Sequence, residues 1–190
     1  MSKLLAVVSV CAVGALVGAC AAPAEEEQAT QTEDALKGED NDALAAVRRA
    51  TAKYHDVNVA LADGYVADPV CAASPAGAMG VHYINPALVQ QPPDPNRPGI
   101  LLYEPTADGP RLVGVEWFMP VIGVTGPSFD TSTPPIPPYN PAPVFFGHTF
   151  DGPMPGHNPA MPWHYDLHAW LWKHNPNGTF SEWNPNVHCP

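Results

Sequence analysis

The hydrophobic positions of this chain change period once, and the change separates a helix from a run of strands. From Leu44 to Tyr65 the packing positions recur every three or four residues: Leu44, Val47, Thr51, Tyr54, Asn58, Leu61 and Tyr65. That spacing draws one stripe along one face of a helix. Arg48, Arg49 and Lys53 fall on the other faces. Asn41 or Asp42 suits the cap, and Gly64, tolerant of the left-handed conformation, suits the stop after about Asp63. His55 and Asp56 on this helix read as a surface or half-buried pair, with a place near a site as the alternative.

Beyond residue 78 the period drops to two. Residues 79–85 (MGVHYIN) set Val81 and Tyr83 against Gly80, His82 and Ile84. Residues 100–104 (ILLYE) and 112–119 (LVGVEWFM) read as a strand pair, with Asp108-Gly109 in the connection as a hairpin signal. In the second strand Gly114, Glu116 and Phe118 oppose Val113, Val115 and Trp117. Residues 145–150 set Phe145, Gly147 and Thr149 against Phe146, His148 and Phe150. Residues 164–173 set His164, Asp166, His168, Trp170 and Trp172 against Tyr165, Leu167, Ala169, Leu171 and Lys173. Residues 72–78 read as a small-residue loop, the prolines of 92–98 as a stiff turn region, and those of 127–143 exclude a regular element and suggest a structured surface loop or lid. The pattern predicts an α+β fold, mainly β: an N-terminal helix packed on a small antiparallel β-barrel or sandwich of at least five strands.

The first residues stand outside this pattern. Lys3, an apolar run over 4–17 and then Val17-Gly18-Ala19-Cys20 read as a lipoprotein signal peptide over 1–19, with Cys20 carrying the lipid. A plain signal peptide cut near Ala22 is the alternative. The apolar run is short for a membrane span. Charge sharpens the division. Residues 21–42 hold eight acids and one base, net -7, whereas 43–190 hold eleven acids and six bases, net -5. Residues 20–41 therefore read as an acidic disordered tether and 42–190 as a single domain. The expected location is exported and lipid-anchored in the bacterial cell envelope, with the membrane reached through Cys20. The absence of a basic patch argues against a nucleic-acid partner. Of the remaining cysteines, Cys71 and Cys189 are expected to form a disulfide in an oxidising compartment. A metal–thiolate pair is the weaker alternative, since neither lies among the histidines.

Several polar residues recur at positions that alternation would turn inward: His82, Glu104, Glu116, His148, His164, Asp166 and His168. Each buried charge costs several kcal/mol unless it is paired or bound to a metal. Imidazoles with a carboxylate suit one divalent transition metal, whether zinc, copper, iron or manganese, and the carboxylate leans the set away from copper. The expected ligands are His82, Glu116, His148 and one or both of His164 and His168. On a strand the last two lie on one face but about 13 Å apart, so one reaches a given ion unless the segment is helical. His168 is preferred. Asp166, between them, is placed to orient an imidazole. Glu104 is the candidate general base, or else a strand-end carboxylate paired with Arg97 or Arg111. His157 reads as an exposed loop residue or a ligand carried by a lid, and His174 and His188 as surface residues. A cavity lined by some of Tyr83, Tyr103, Trp117, Phe146, Trp163 and Trp170 would suit a small organic, aromatic ligand; otherwise these rings are core.

The segments GHTFDGPMPGH, MPWHYDLHAWLWKHNP and WNPNVHC, with MGVHY and the pair LLYEP and LVGVEW, resemble an uncharacterised group of exported bacterial proteins. The resemblance covers roughly residues 43–190 and implies the N-terminal helix and the strand pair, with no activity to carry over. The function expected from the residues is an exported mononuclear metal-binding protein, with a metal-dependent enzyme acting on a small aromatic substrate as its catalytic form. The alternatives are an acid–base site without metal and a non-catalytic envelope lipoprotein that binds a ligand or partner through its proline-rich loops.

Overall fold

The computed structural model describes residues 40–190. The expected signal peptide, the expected lipid site at Cys20 and the expected tether up to residue 39 lie outside the described residues. The chain is already helical at residue 40, so Asn41 and Asp42 sit within the first helix, α1, whose described part covers 40–51. The single helix expected to run to Asp63 is broken. After Thr51, whose hydroxyl bonds back to the Val47 carbonyl, the backbone tightens into a 3-10 turn, Ala52–His55. Asp56 is extended, and its carboxylate accepts from the Asn58 amide to cap a second helix, α2 (Val57–Ala62). His55-Asp56 is thus the joint between two helices. Gly64 ends α2 as expected: at φ 92° it allows the Gly64 amide to reach the Leu61 carbonyl and the Tyr65 amide to reach that of Ala60. These are the paired bonds of a Schellman cap.

The strands are β1 (Val66–Ser74), β2 (Gly77–Ile84), β3 (Ile100–Thr106), β4 (Gly109–Pro120), β5 (Ile122–Gly123), β6 (Gly126–Pro127), β7 (Val144–Phe145), β8 (His148–Thr149), β9 (Asp151–Met154) and β10 (His164–Ala169). Six of them form one antiparallel sheet in the order β1-β2-β3-β4-β10-β9, curled into a half-barrel; β5-β6 and β7-β8 are separate two-stranded pairs. The fold is α+β and mainly β, as the alternation predicts, and its barrel is a half-barrel.

Each face of the sheet carries its own core. On the helix side, Tyr83, Leu101, Tyr103, Val115, Trp117 and Leu167 pack with Val47, Tyr54 and Ala60. On the other side, Ile100, Leu102, Val113, Phe118 and Trp170 pack with Ala78 of β2 and Val187 of the C-terminal segment. Alternation holds through most of β4 but slips once. Leu102 pairs with Gly114 and Tyr103 with Leu112, so Val113 is an extra residue, a bulge that turns to the same side as Phe118.

Three expectations about strands are corrected. Residues 66–74, read in part as loop, form β1, an edge strand with a register break between Ala67 and Cys71 that accommodates Pro69. Proline cannot donate to a ladder and is tolerated on an edge beside a bulge. Residues 145–150 are not one strand but a tight hairpin, β7 to β8, in which Phe146 and Gly147 both take positive φ, 52° and 70°. Two left-handed residues make the turn that joins closely paired strands. Finally, β10 stops at Ala169. Trp170 stays on the side of Leu102, but Trp172 crosses to the helix side and lies against His55 and Arg48.

A disulfide joins Cys71 in β1 to Cys189 at the chain's end. It holds a C-terminal segment against the sheet, where the Asn184 and Ala78 backbones exchange two hydrogen bonds. Glycine is required at 77 for that approach: a Cβ would fall 2.5 Å from the Asn184 carbonyl carbon.

Candidate metal centre

The sheet face opposite the helices holds the polar cluster. Register explains it. His168 is the direct partner of Glu116 across β10 and β4, and His82 pairs with Leu102, whose own partner is Gly114. Paired residues on neighbouring strands share a face, so His82, Glu116 and His168 all project to the same side. β2 and β4 stand roughly 10 Å apart with β3 between them. The long His82 and Glu116 side chains close that gap above Ile100 and Leu102.

His82 Nε2 lies 3.2 Å from Glu116 Oε2, and His168 Nε2 lies 3.5 Å from the same oxygen. The ligand atoms of the three residues fall within 4.8 Å of one another. Glu116 and His168 are buried, and the His82 side chain keeps 15% of its surface exposed, so it faces the way in. Among the described residues, neither Glu116 Oε2 nor either nitrogen of His168 has a hydrogen-bond partner. Buried polar atoms are nearly always satisfied in proteins, and a carboxylate oxygen ringed by two imidazole nitrogens without a directed bond is a set of donors that could hold a metal ion.

Electrostatics couple the three groups. Burial alone would push Glu116 up, but the facing His168 and His82 reverse this and hold its carboxyl at about 2. Burial likewise opposes charge on His82. The Glu116 carboxylate outweighs it, with Asp68 and Asp166 adding smaller contributions, and His82 is raised above its ordinary 6.5. These are opposite shifts of one ion pair.

Asp166 lies between the two histidines of β10, as its position in the alternation implied. Its Oδ1 is 3.7 Å from His168 Nδ1, too long for a hydrogen bond, and its Oδ2 is 3.4 Å from His164 Nε2. His164 is wholly buried, stacks on Phe118 and contacts the Pro162 carbonyl through Nδ1 at 3.0 Å. It does not join the triad, since β10 is a strand and the two imidazoles stay on separate stretches of one face.

The other expected residues are placed elsewhere. His148 is exposed in the β7–β8 hairpin and packs on Phe180 at 4.0 Å between ring centres. The turn at Phe146-Gly147 breaks the alternation that pointed His148 inward, and the structure does not bring it to the cluster. Glu104 is buried on β3, four residues from the partner of Glu116, roughly 13 Å along the strand. Both its oxygens accept from Lys173 Nζ at 2.7 Å, and Oε1 also accepts from the His188 amide at 3.1 Å. Its cation is Lys173, not Arg97 or Arg111, and its surroundings are those of an anchor for the C-terminal segment rather than a free base.

Two further carboxylates flank the cluster. Asp151 pairs with Asp166 from β9, and burial first, then the Asp166 charge, raises its pKa. Glu182 is half-buried, and burial raises it too, while the charges of His168, Asp166 and Asp151 also act on it. Both lie in short or irregular segments where no period exists to mark a face. Comparisons with protein-family models, curated proteins and solved structures find no match to this chain.

Proposed function

We propose that this protein is a metal-binding protein of the bacterial cell envelope, exported and lipid-anchored, that holds a divalent transition-metal ion between His82, Glu116 and His168. One observation carries the reading. Glu116 Oε2 and His168 Nε2 are buried, face each other at 3.5 Å and have no hydrogen-bond partner among the described residues, while His82 closes the third side. Two imidazoles and one carboxylate favour zinc, iron or manganese. Three protein ligands leave a coordination position for water or substrate, and the partial exposure of His82 gives a route to it. This is the arrangement of a reactive centre, since structural zinc sites use four protein ligands. When bound, the ion would polarise a ligand or lower the pKa of a bound water.

The test is elemental analysis of untagged full-length protein, with a visible absorption spectrum to separate iron or copper from zinc. About one equivalent at the triad is expected, lost in His168→Ala and Glu116→Gln. Retention of that equivalent by both variants would exclude the reading. A second reading draws on the proline-rich segment after β4, which exposes Val124 (64%), Phe129 (53%) and Ile136 (55%). There the protein is a non-catalytic envelope protein that docks a partner through these side chains, carries no metal, and melts identically with and without a chelator.

A further inference from the structure

A row of buried polar groups runs along β10 from the Pro162 carbonyl to the triad. His164, Asp166 and His168 alternate on that strand, so their side chains share one face. His164 Nδ1 meets the Pro162 carbonyl at 3.0 Å, and its Nε2 faces Asp166 Oδ2 at 3.4 Å. The other oxygen, Asp166 Oδ1, faces His168 Nδ1 at 3.7 Å, and His168 Nε2 faces Glu116 Oε2 at 3.5 Å. All three residues of the row are 1% exposed or less. Among the described residues, His164 Nε2, Asp166 Oδ1 and His168 Nδ1 have no hydrogen-bond partner. Buried polar atoms are costly unless they satisfy one another.

These atoms are complementary. A carbonyl oxygen only accepts, so His164 carries a hydrogen on Nδ1. One hydrogen between His164 Nε2 and Asp166 Oδ2 satisfies both atoms, whichever of them holds it. Asp166 Oδ1 is then left to accept from His168 Nδ1. An imidazole whose hydrogen is on Nδ1 presents the lone pair of Nε2, and Nε2 is the His168 atom turned to the Glu116 oxygen that His82 also faces. Metal-binding histidines commonly donate their other ring N–H to a carboxylate in this way. The far end of the row is held as well: His164 stacks on Phe118, with ring centres 5.0 Å apart and planes at 26°.

We propose that Asp166 and His164 are positioning residues of the metal centre: His164 fixes Asp166, and Asp166 turns the Nε2 lone pair of His168 toward the ion. The inference rests on the ion proposed at His82, Glu116 and His168. It gives His164 a part in the centre without making it a ligand.

The experiment is calorimetric zinc binding to chelator-stripped full-length protein, paired with nitrogen-15 spectra of the imidazoles in the zinc-saturated form. In the wild type, His168 is expected to bind through Nε2 and to carry on Nδ1 a hydrogen shifted downfield by its bond to Asp166. Asp166→Leu removes the acceptor but keeps an apolar group of similar size, and replacing buried polar groups in that way often spares the fold. It should weaken zinc about 10–100-fold without changing the number of ions bound. His164→Phe, which keeps a ring against Phe118, should weaken zinc by a smaller factor. The double variant should bind as Asp166→Leu does alone, because His164 acts only through Asp166. A role confined to packing would give losses that multiply in the double variant. The proposal is overturned by that result, or by Asp166→Leu binding zinc as the wild type does. Should the variants not fold, it is overturned by wild-type spectra that put zinc on His168 Nδ1 or leave the Nδ1 hydrogen at the shift of an unbonded imidazole. A wild type that binds no zinc overturns the triad and this inference together, whereas equal binding by Asp166→Leu overturns this inference alone.

Discussion

His168 lies directly across the β4–β10 ladder from Glu116, and the two groups meet at 3.5 Å with no hydrogen bond between them. Main-chain pairing therefore fixes this contact before any side-chain chemistry is considered. His82 comes from two strands away and completes the set, so the cluster exists only when β2, β3, β4 and β10 are in register. A metal ion held by this set would therefore be linked to folding of the sheet.

The first expected outcome is a metal-dependent melting temperature. An ion that binds the folded chain at a hundred times its dissociation constant stabilises by about 2.7 kcal/mol. Calorimetry with and without zinc should show the shift in the wild type. In His82→Ala the contribution of the triad ion disappears. An unshifted wild type across a hundredfold range of zinc would contradict the linkage.

The shifts of Glu116 and His82 give a pH dependence with a definite sign. Glu116 is lowered from 4.5 to about 2, so its contribution to stability is complete above about 4.5 and fades as pH falls toward 2. His82 is raised above 6.5, so its contribution is complete below about 6.5 and fades as pH rises through the raised value. The metal-free protein should therefore draw most from this pair between about pH 4.5 and 6.5. Metal affinity should run the other way, since His82 must lose its proton to ligate. Zinc binding measured by calorimetry should be tighter at pH 8 than at pH 6, and should release more protons at pH 6, where more of His82 is charged. Affinity that falls as pH rises from 6 to 8 would count against His82 as a ligand.

Where period-two alternation runs through an unbroken ladder, the site is legible from residue order alone. His82, Glu116 and His168 each sit mid-strand among apolar neighbours, and all three arrive on one face. Legibility ends where a backbone device resets the count. Phe146 and Gly147 turn the chain within two residues, so His148 leaves the face that its parity assigned. The Val113 bulge exchanges the sides of Leu112 and Val113, and the end of β10 sends Trp172 to the helices. Edge strand β1 escapes notice because Pro69 and its small residues carry no strand pattern. The partnership of Glu104 with Lys173 spans 69 positions, a distance over which no local spacing can signal.

Glu104 supplies a test of anchor against base. Glu104→Gln leaves the Lys173 ammonium without its carboxylate in a largely buried setting, where Lys173 keeps 25% of its side-chain surface. Breaking such a pair from one side costs roughly 2–4 kcal/mol, discounted here for that exposure. Urea unfolding should report the loss, while metal content stays at the wild-type level. Unchanged stability with lost turnover of any substrate found would instead return Glu104 to a catalytic role.

The Cys71–Cys189 bridge closes a loop of 118 residues. Chain-entropy reasoning assigns such a loop about 4–5 kcal/mol, and measured values commonly fall to about 2–4 kcal/mol. The native contacts of the C-terminal segment do not depend on the bridge alone. Asn184 and Ala78 exchange backbone bonds at 3.1 and 3.2 Å, and the His188 amide bonds to Glu104. Removing both sulfurs should therefore act mainly by enlarging the unfolded ensemble rather than by releasing the segment. The double variant Cys71→Ala, Cys189→Ala is expected to unfold at lower urea, with a steeper dependence on denaturant as the freed chain exposes more surface. Its metal content should match the wild type, because the bridge lies on β1 and the ligands on β2, β4 and β10. A variant that loses its metal before its sheet unfolds would mean that the bridge holds the site itself, through the segment that carries Glu182.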